Sequence, residues 1–244
     1  MAVGRALKAM GLIGAGALAG VAVSRFLETD AAPVPASLKL PGSLPNVLPL
    51  VTPTIRVDHA TKIVAQLNQL EGQRVLLLIH TLGGSFMPVV QIARALRRHG
   101  QAVAFVPFHA LSGGTLVALA TQQLYLWPDA SLGPIDPQIG PYSASALLGI
   151  RDQKPLGTID DHTLALAHEA EKALAETTTM TREFVDTEAA VTRLVAGKTP
   201  HSFPISFEEA ERIGLKVRLA PQSPMTWALV RKHMRGGGSC TCQM

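Results

Sequence analysis

The sequence predicts an α/β fold built on a parallel sheet, and three observations carry that expectation. Three short runs, Arg74–Ile79, Ala102–Val106 and Leu124–Trp127, are nearly all apolar. Strand-length runs without polar alternation fit strands covered on both faces, as in parallel sheets. Segments of helical periodicity precede and separate these runs, and Gly72 and Gly100 close two of them. Strand, helix, strand at this spacing gives βαβ units.

Composition agrees with this class and excludes others. The chain has 244 residues, 47% hydrophobic and only 16% charged, long enough for one sizeable core and unlike a disordered chain. Its net charge of +4 is mildly basic. The densest cations, Arg94, Arg97 and Arg98, fall on the polar side of a predicted helix, where a solvated face is expected. Aromatic residues make up 5%, too few for base-stacking platforms, so no nucleic-acid partner is expected. The two cysteines, Cys240 and Cys242, lie in a Gly-rich tail with one residue between them. That is not zinc-finger spacing, and neither a metal nor another cofactor is expected.

Taken in order, the chain begins with a membrane signal. Arg5 and Lys8 precede an uncharged segment, Ala9–Ser24, which ends at Arg25. It is shorter than the ~20 residues that span a bilayer, but flanking Lys and Arg can snorkel. A signal anchor within residues 1–30, kept as one transmembrane helix, is the expectation. A cleaved signal peptide, with a small-residue site at Ala17-Leu18-Ala19, and an interfacial helix are the alternatives. The prolines at 33, 35, 41, 45, 49 and 53 make residues 31–54 an extended spacer. The folded domain is placed at 55–222 and a C-terminal tail at 223–244.

Within the domain, Ile63, Val64, Leu67 and Leu70 give residues 58–70 one apolar helical face. After the first buried strand, Pro88 opens a helix whose stripe is Val89, Ile92, Ala93 and Leu96. Thr115–Gln122 is a third helix. Residues 131–142 hold Gly133, Pro134, Pro137, Gly140 and Pro141, a loop near the strand ends. Thr158-x-x-Asp161 reads as a capping box for one long helix over about 160–196, stopped by Gly197. Ser206-x-x-Glu209 caps a short helix before Gly214, and Leu215–Leu219 is a last strand.

Two glycine pairs carry the chemistry. His-Thr-Leu-Gly-Gly-Ser, residues 80–85, and His-Ala-Leu-Ser-Gly-Gly-Thr, residues 109–115, each follow a buried strand. Ser112, flanked by small residues where a strand turns into a helix, suits a nucleophile that a carbonyl must approach closely. Gly83 and Gly84 could supply backbone N–H donors to an oxyanion. The first hypothesis is hydrolytic acyl transfer.

A serine needs a base. His109 stands three residues before Ser112 on one short turn, a poor geometry for proton transfer and a good one for a local hydrogen bond. His80 could orient the first glycine loop. His162 and His168 are six apart on the long helix and do not share the i, i+4 face a metal needs. A lysine in a dry pocket is the other option, and Lys154 stands just before the long helix.

Four stretches extend the glycine motifs: Ile79–Gly84, Gln91–Leu96 (Gln-Ile-Ala-Arg-Ala-Leu), Ala110–Ala120 (Ala-Leu-Ser-Gly-Gly-Thr-Leu-Val-Ala-Leu-Ala) and Leu132–Gln138 (Leu-Gly-Pro-Ile-Asp-Pro-Gln). Together they closely resemble the serine dehydrogenase proteinase family of the Clp-protease and crotonase-like superfamily. Signal peptide peptidase A and the membrane-associated NfeD-type proteases are its neighbours there. The likeness runs over about residues 55–220. It implies a Clp/crotonase-like fold of repeated ββα and βαβ units with a long C-terminal helix. It implies Ser112 as nucleophile, and the 83–84 loop with the Gly113 amide as oxyanion hole. Where Clp protease has its histidine, this chain has Ile135-Asp136-Pro137-Gln138, with none. The NfeD-type proteases carry a lysine after a similar loop, which implies Lys154, 42 residues past Ser112, as base. Asp136 is then a loop-structuring carboxylate rather than a triad member.

The leading expectation is a membrane-anchored serine peptidase with a Ser112–Lys154 dyad. It would act on peptides or membrane proteins, contact lipid through its N-terminal helix and form a homo-oligomer through the long helix. Which side of the membrane holds the domain stays open. A crotonase-like acyl-CoA enzyme and a catalytically silent oligomeric scaffold are the competing classes.

Overall fold

The computed structural model describes residues 46–234. The N-terminal segment read as a membrane anchor and the two cysteines lie outside these residues. Among the described residues, no helix is long and apolar enough to cross a membrane.

The core is a five-stranded sheet in the order β1, β2, β3, β5, β9, with every pairing parallel. Its strands are β1 (Asn46–Val51), β2 (Val75–His80), β3 (Ala102–Val106), β5 (Gln123–Leu126) and β9 (Val217–Leu219). Five of the six β2 residues are buried, as a continuous apolar run requires. The first crossovers are helical: α1 (Val57–Gln69), α2 (Phe86–His99) and α3 (Gly113–Leu119). They pack side by side in chain order. Strands added in one direction by right-handed crossovers place their helices in one layer. The predicted helices and strands of this half all appear, with ends displaced by a few residues.

A second, shorter ladder forms at the C-terminal ends of the strands. Thr81 bridges Ala110, β4 (His109–Ala110) pairs with β6 (Ser131–Leu132), and Leu132 bridges Ile205. Residues far apart in sequence therefore meet where β2 and β3 end.

Several expectations are revised. Residues 46–51 are not spacer but β1, the edge strand, so the folded domain begins before Ile55. An edge strand pairs on one side only and tolerates Pro49. The predicted loop 131–142 folds into β6, β7 (Gln138–Ile139) and most of a hairpin closed by β8 (Tyr142–Ser143). Residues 144–153, without a marked apolar stripe, form α4, capped by Ser143. The long helix is two: α5 (Asp161–Arg182), capped by Asp160 rather than Thr158, and α6 (Glu188–Val195), capped by Thr187. The turn between them buries Phe184 and Val185, an apolar pair that helical periodicity cannot distinguish from a continuing stripe. Ser206 caps α7 (Phe207–Arg212) as expected. The tail contributes α8 (Pro224–Met234), anchored through Thr226 and Val230.

Candidate active site

Ser112 stands at the elbow between β4 and α3. Its backbone has φ 51° and ψ −123°, and it is the one non-glycine residue with positive φ among the described residues. Such a conformation costs of order 1–3 kcal/mol, and persists here because the turn is fixed on both sides. Thr115 Oγ1 donates towards the carbonyls of Ala110 and Gly133, 2.6 and 2.9 Å away, and accepts from the Gly133 N–H. The strained elbow lifts the serine out of the regular backbone, as in other strand–helix nucleophile turns.

The first glycine loop lies directly over this serine. A Cβ on Gly83 would sit 2.7 Å from Ser112 Cβ, and Gly83 has φ 115°. Only glycine fits there. The loop's hydrogen bonds sort its donors. Gly83 N–H goes to Thr81 Oγ1 at 3.2 Å. Gly83 C=O and Ser85 N–H both pair with Ile55, at 2.7 and 3.2 Å. In a parallel bridge the residue between two such contacts points its own polar groups the other way. Gly84 is therefore the loop residue whose N–H is left free, and it lines the cleft beside Ser112. The Gly113 N–H, first in α3, is one of the unpaired donors at a helix start. Of the expected oxyanion donors, Gly84 and Gly113 are available and Gly83 serves as the spacer over the serine.

Ser112 opens into a cleft of about 690 Å³. Leu82, Phe86, Val89, Leu116, Ile135 and Ile139 give it apolar walls, and Glu169, Lys172 and Glu176 of α5 line another side. Asp136 and His201 line it too. Asp136 is 3% exposed, and its Oδ1 accepts from His201 Nδ1 at 2.8 Å. Its Oδ2 accepts from Gln138 Nε2 at 2.8 Å, so the carboxylate also structures its loop, as expected. A carboxylate on Nδ1 fixes the tautomer that leaves His201 Nε2 as an acceptor.

His201 did not stand out in the sequence. It sits in the loop after α6, 65 residues beyond Asp136, and tertiary contacts bring it back. Ile205 and Leu132 exchange backbone hydrogen bonds at 2.8 and 3.0 Å. Ser145 Oγ donates to Gly197 C=O at 3.1 Å. Arg193 holds Glu209 and Thr199, at 2.6 and 3.1 Å. The one legible signal was a histidine just ahead of the Ser206 cap.

The other candidates lie elsewhere. Lys154 is the exposed C-cap of α4 and is not among the residues that line the cleft. His109 stacks on His80, ring centroids 4.0 Å apart, and the two line a separate cavity with Thr52 and Leu82. Burial, and then the His109 charge, push His80 down to about 4; burial lowers His109 as well. No cluster that could hold a metal occurs among the described residues.

A strained elbow serine beneath a glycine loop, at the strand ends of a parallel sheet, is the arrangement of a serine hydrolase. The chain belongs to the ClpP-like SDH-type serine proteinases, whose family model matches residues 50–226. Two similar proteins come from Methanocaldococcus jannaschii. Uncharacterized protein MJ0137 is 37% identical over 149 residues, covering 58% of this chain and 52% of that protein. Uncharacterized protein MJ1495 is 32% identical over 155 residues, covering 60% and 53%. The chain thus spans about half the length of these relatives.

Proposed function

We propose that this protein is a serine peptidase in which Ser112, His201 and Asp136 act together. The observation that carries the reading is the His201–Asp136 hydrogen bond in the cleft that holds Ser112. Ser112 Oγ attacks the scissile carbonyl while His201 Nε2 takes its proton. The carbonyl oxygen becomes an oxyanion facing the Gly84 and Gly113 N–H groups. The imidazolium, steadied by Asp136, returns the proton to the leaving amine as the tetrahedral intermediate collapses to an acyl-enzyme. Water, deprotonated by His201, then releases the acid and restores Ser112. The chain order Ser, Asp, His differs from the Ser, His, Asp order of Clp protease, and triads are defined by geometry rather than order.

The Ser112–Lys154 dyad is the rival assignment. It requires Lys154 to leave its exposed position, and it predicts a different variant. Fluorophosphonate labelling and peptide hydrolysis, measured against pH, separate the two. Ser112→Ala abolishes both. His201→Ala removes the base limb of the pH–rate profile and lowers kcat by about 100-fold or more, while Lys154→Ala leaves the profile in place. Loss of the limb in Lys154→Ala alone would establish the dyad. Wild-type protein that neither labels nor hydrolyses peptides would leave a silent scaffold. Hydrolysis of acyl-CoA without peptide hydrolysis would favour the crotonase-like class.

Membrane anchoring is proposed from Ala9–Ser24 of the sequence, and homo-oligomerisation from the family resemblance.

A further inference from the structure

We propose, on the basis of the peptidase reading above, that the α5 wall of the Ser112 cleft selects peptides with a basic side chain, whose cationic end Glu176 and Thr177 hold. Along α5, Glu169, Lys172, Ala173, Glu176 and Thr177 line the cleft. Their spacing, i, i+3, i+4, i+7 and i+8, is that of one helical face. The adjacent stripe of Leu166, Ala170 and Leu174 packs on α4, which fixes the helix beside the serine.

Most polar groups around the cleft are already committed, and two are not. Asp136 accepts from His201 and Gln138. Among the described residues, the ion pairs of α5 join Lys172 to Glu169, Glu171 to Arg151 and Arg182 to Glu188, which leaves Glu176 exposed and unpaired. Thr178, Thr179 and Thr181 donate their hydroxyls to the carbonyls of Leu174, Ala175 and Thr177, four residues back. Thr177 is only 4% exposed, yet its Oγ1 has no partner among the described residues. That oxygen is not sealed inside the fold either, so it opens into the cleft that Thr177 lines. A nearly buried hydroxyl without a partner is unfavourable, and a ligand in the cleft supplies one.

Charge and shape select the ligand. Three carboxylates line the cleft, Asp136, Glu169 and Glu176, against one ammonium, Lys172. They do so on a chain whose net charge is +4. A cleft of that sign attracts cations. Apolar walls that end at a free carboxylate suit a long side chain with an aliphatic stem and a charged head, as in Arg and Lys. Ala173, one turn before Glu176 and Thr177, leaves room beside them. Arg is favoured over Lys, because its planar fork donates to the Glu176 carboxylate and to Thr177 Oγ1 together.

Binding to full-length Ser112→Ala protein makes the test independent of catalysis. Fluorescent peptides, each with one Arg, Lys, Gln or Glu moved through an otherwise neutral and apolar sequence, are titrated by anisotropy. At one position the Arg peptide is expected to bind about 10-fold tighter than its Gln counterpart, the effect of a charge-assisted hydrogen bond. Lys falls between them, and the ratio shrinks as salt is raised. Adding Glu176→Gln, at an exposed position, brings the ratio close to one. Glu176→Lys reverses it in favour of the Glu peptide, which damage to the fold does not do. Thr177→Val removes the advantage of Arg over Lys, and Thr177→Ser keeps it. Arg and Gln peptides that bind equally at every position, or not at all, would overturn the proposal, as would an Arg preference that survives Glu176→Gln. Wild-type protein that fails to label with fluorophosphonate counts against the peptidase reading, while peptide binding still decides the selectivity.

Discussion

A single backbone donor separates two glycines that look equivalent in the sequence. Gly83 is committed to Thr81 and to roofing Ser112, whereas Gly84, whose N–H its parallel bridge to Ile55 does not use, lines the cleft. A Cβ on Gly84 would run into the backbone of Ile55, so Gly84→Ala must displace the amide. We expect kcat to fall by about 100-fold, the effect of losing one oxyanion donor, with KM little changed. Steady-state peptide hydrolysis checks this. His80 gives a prediction for stability. Its folded pKa lies near 4, below the ordinary 6.5, because burial and then the His109 charge oppose protonation. The unfolded chain takes up a proton as pH falls through about 6.5, and the folded chain does not until about 4. The contribution is therefore complete above 6.5 and is lost between 6.5 and 4. Thermal melts across that window should fall steeply for the wild type and less steeply for His80→Gln.

At the scale of elements, β1 decides where the domain begins. Its pairing with β2 buries Leu48 and Leu50. A chain starting at Ile55 loses both and exposes the edge of β2. Each buried leucine is worth about 2–5 kcal/mol against alanine, so that shorter chain should be unfolded or prone to aggregate. One starting before Asn46 should melt cooperatively, as circular dichroism would report. The sequence hid this strand behind its prolines, because an edge position forgives what a central one does not. It likewise hid the turn at 183–187, where the apolar pattern continues while the chain changes direction.

For the whole molecule, the long helix expected to carry the homo-oligomer packs part of its surface within the chain. Ala170 meets Ala144 and Leu147 of α4, with Leu166, Leu174 and Leu148 around them. Self-association thus rests on the family resemblance alone. Light scattering on the folded domain checks it, with a multiple of the chain mass expected and a monomeric mass at micromolar concentration overturning it. A two-sided parallel sheet, its three crossover helices and the elbow serine were legible because each is a local pattern of apolar period, glycine and turn chemistry. The strained serine turn and the glycine loop could be read one motif at a time. The partner of Asp136 could not. His201 reaches it only because Leu132 pairs with Ile205, and Ser145 and Arg193 fix the intervening loop. Lys154, which the family resemblance implied, is not among the residues that line the cleft. Spacing along the chain sets which residues are neighbours within an element. Which side chains face one another across a cleft is set by the long-range pairings that close the fold.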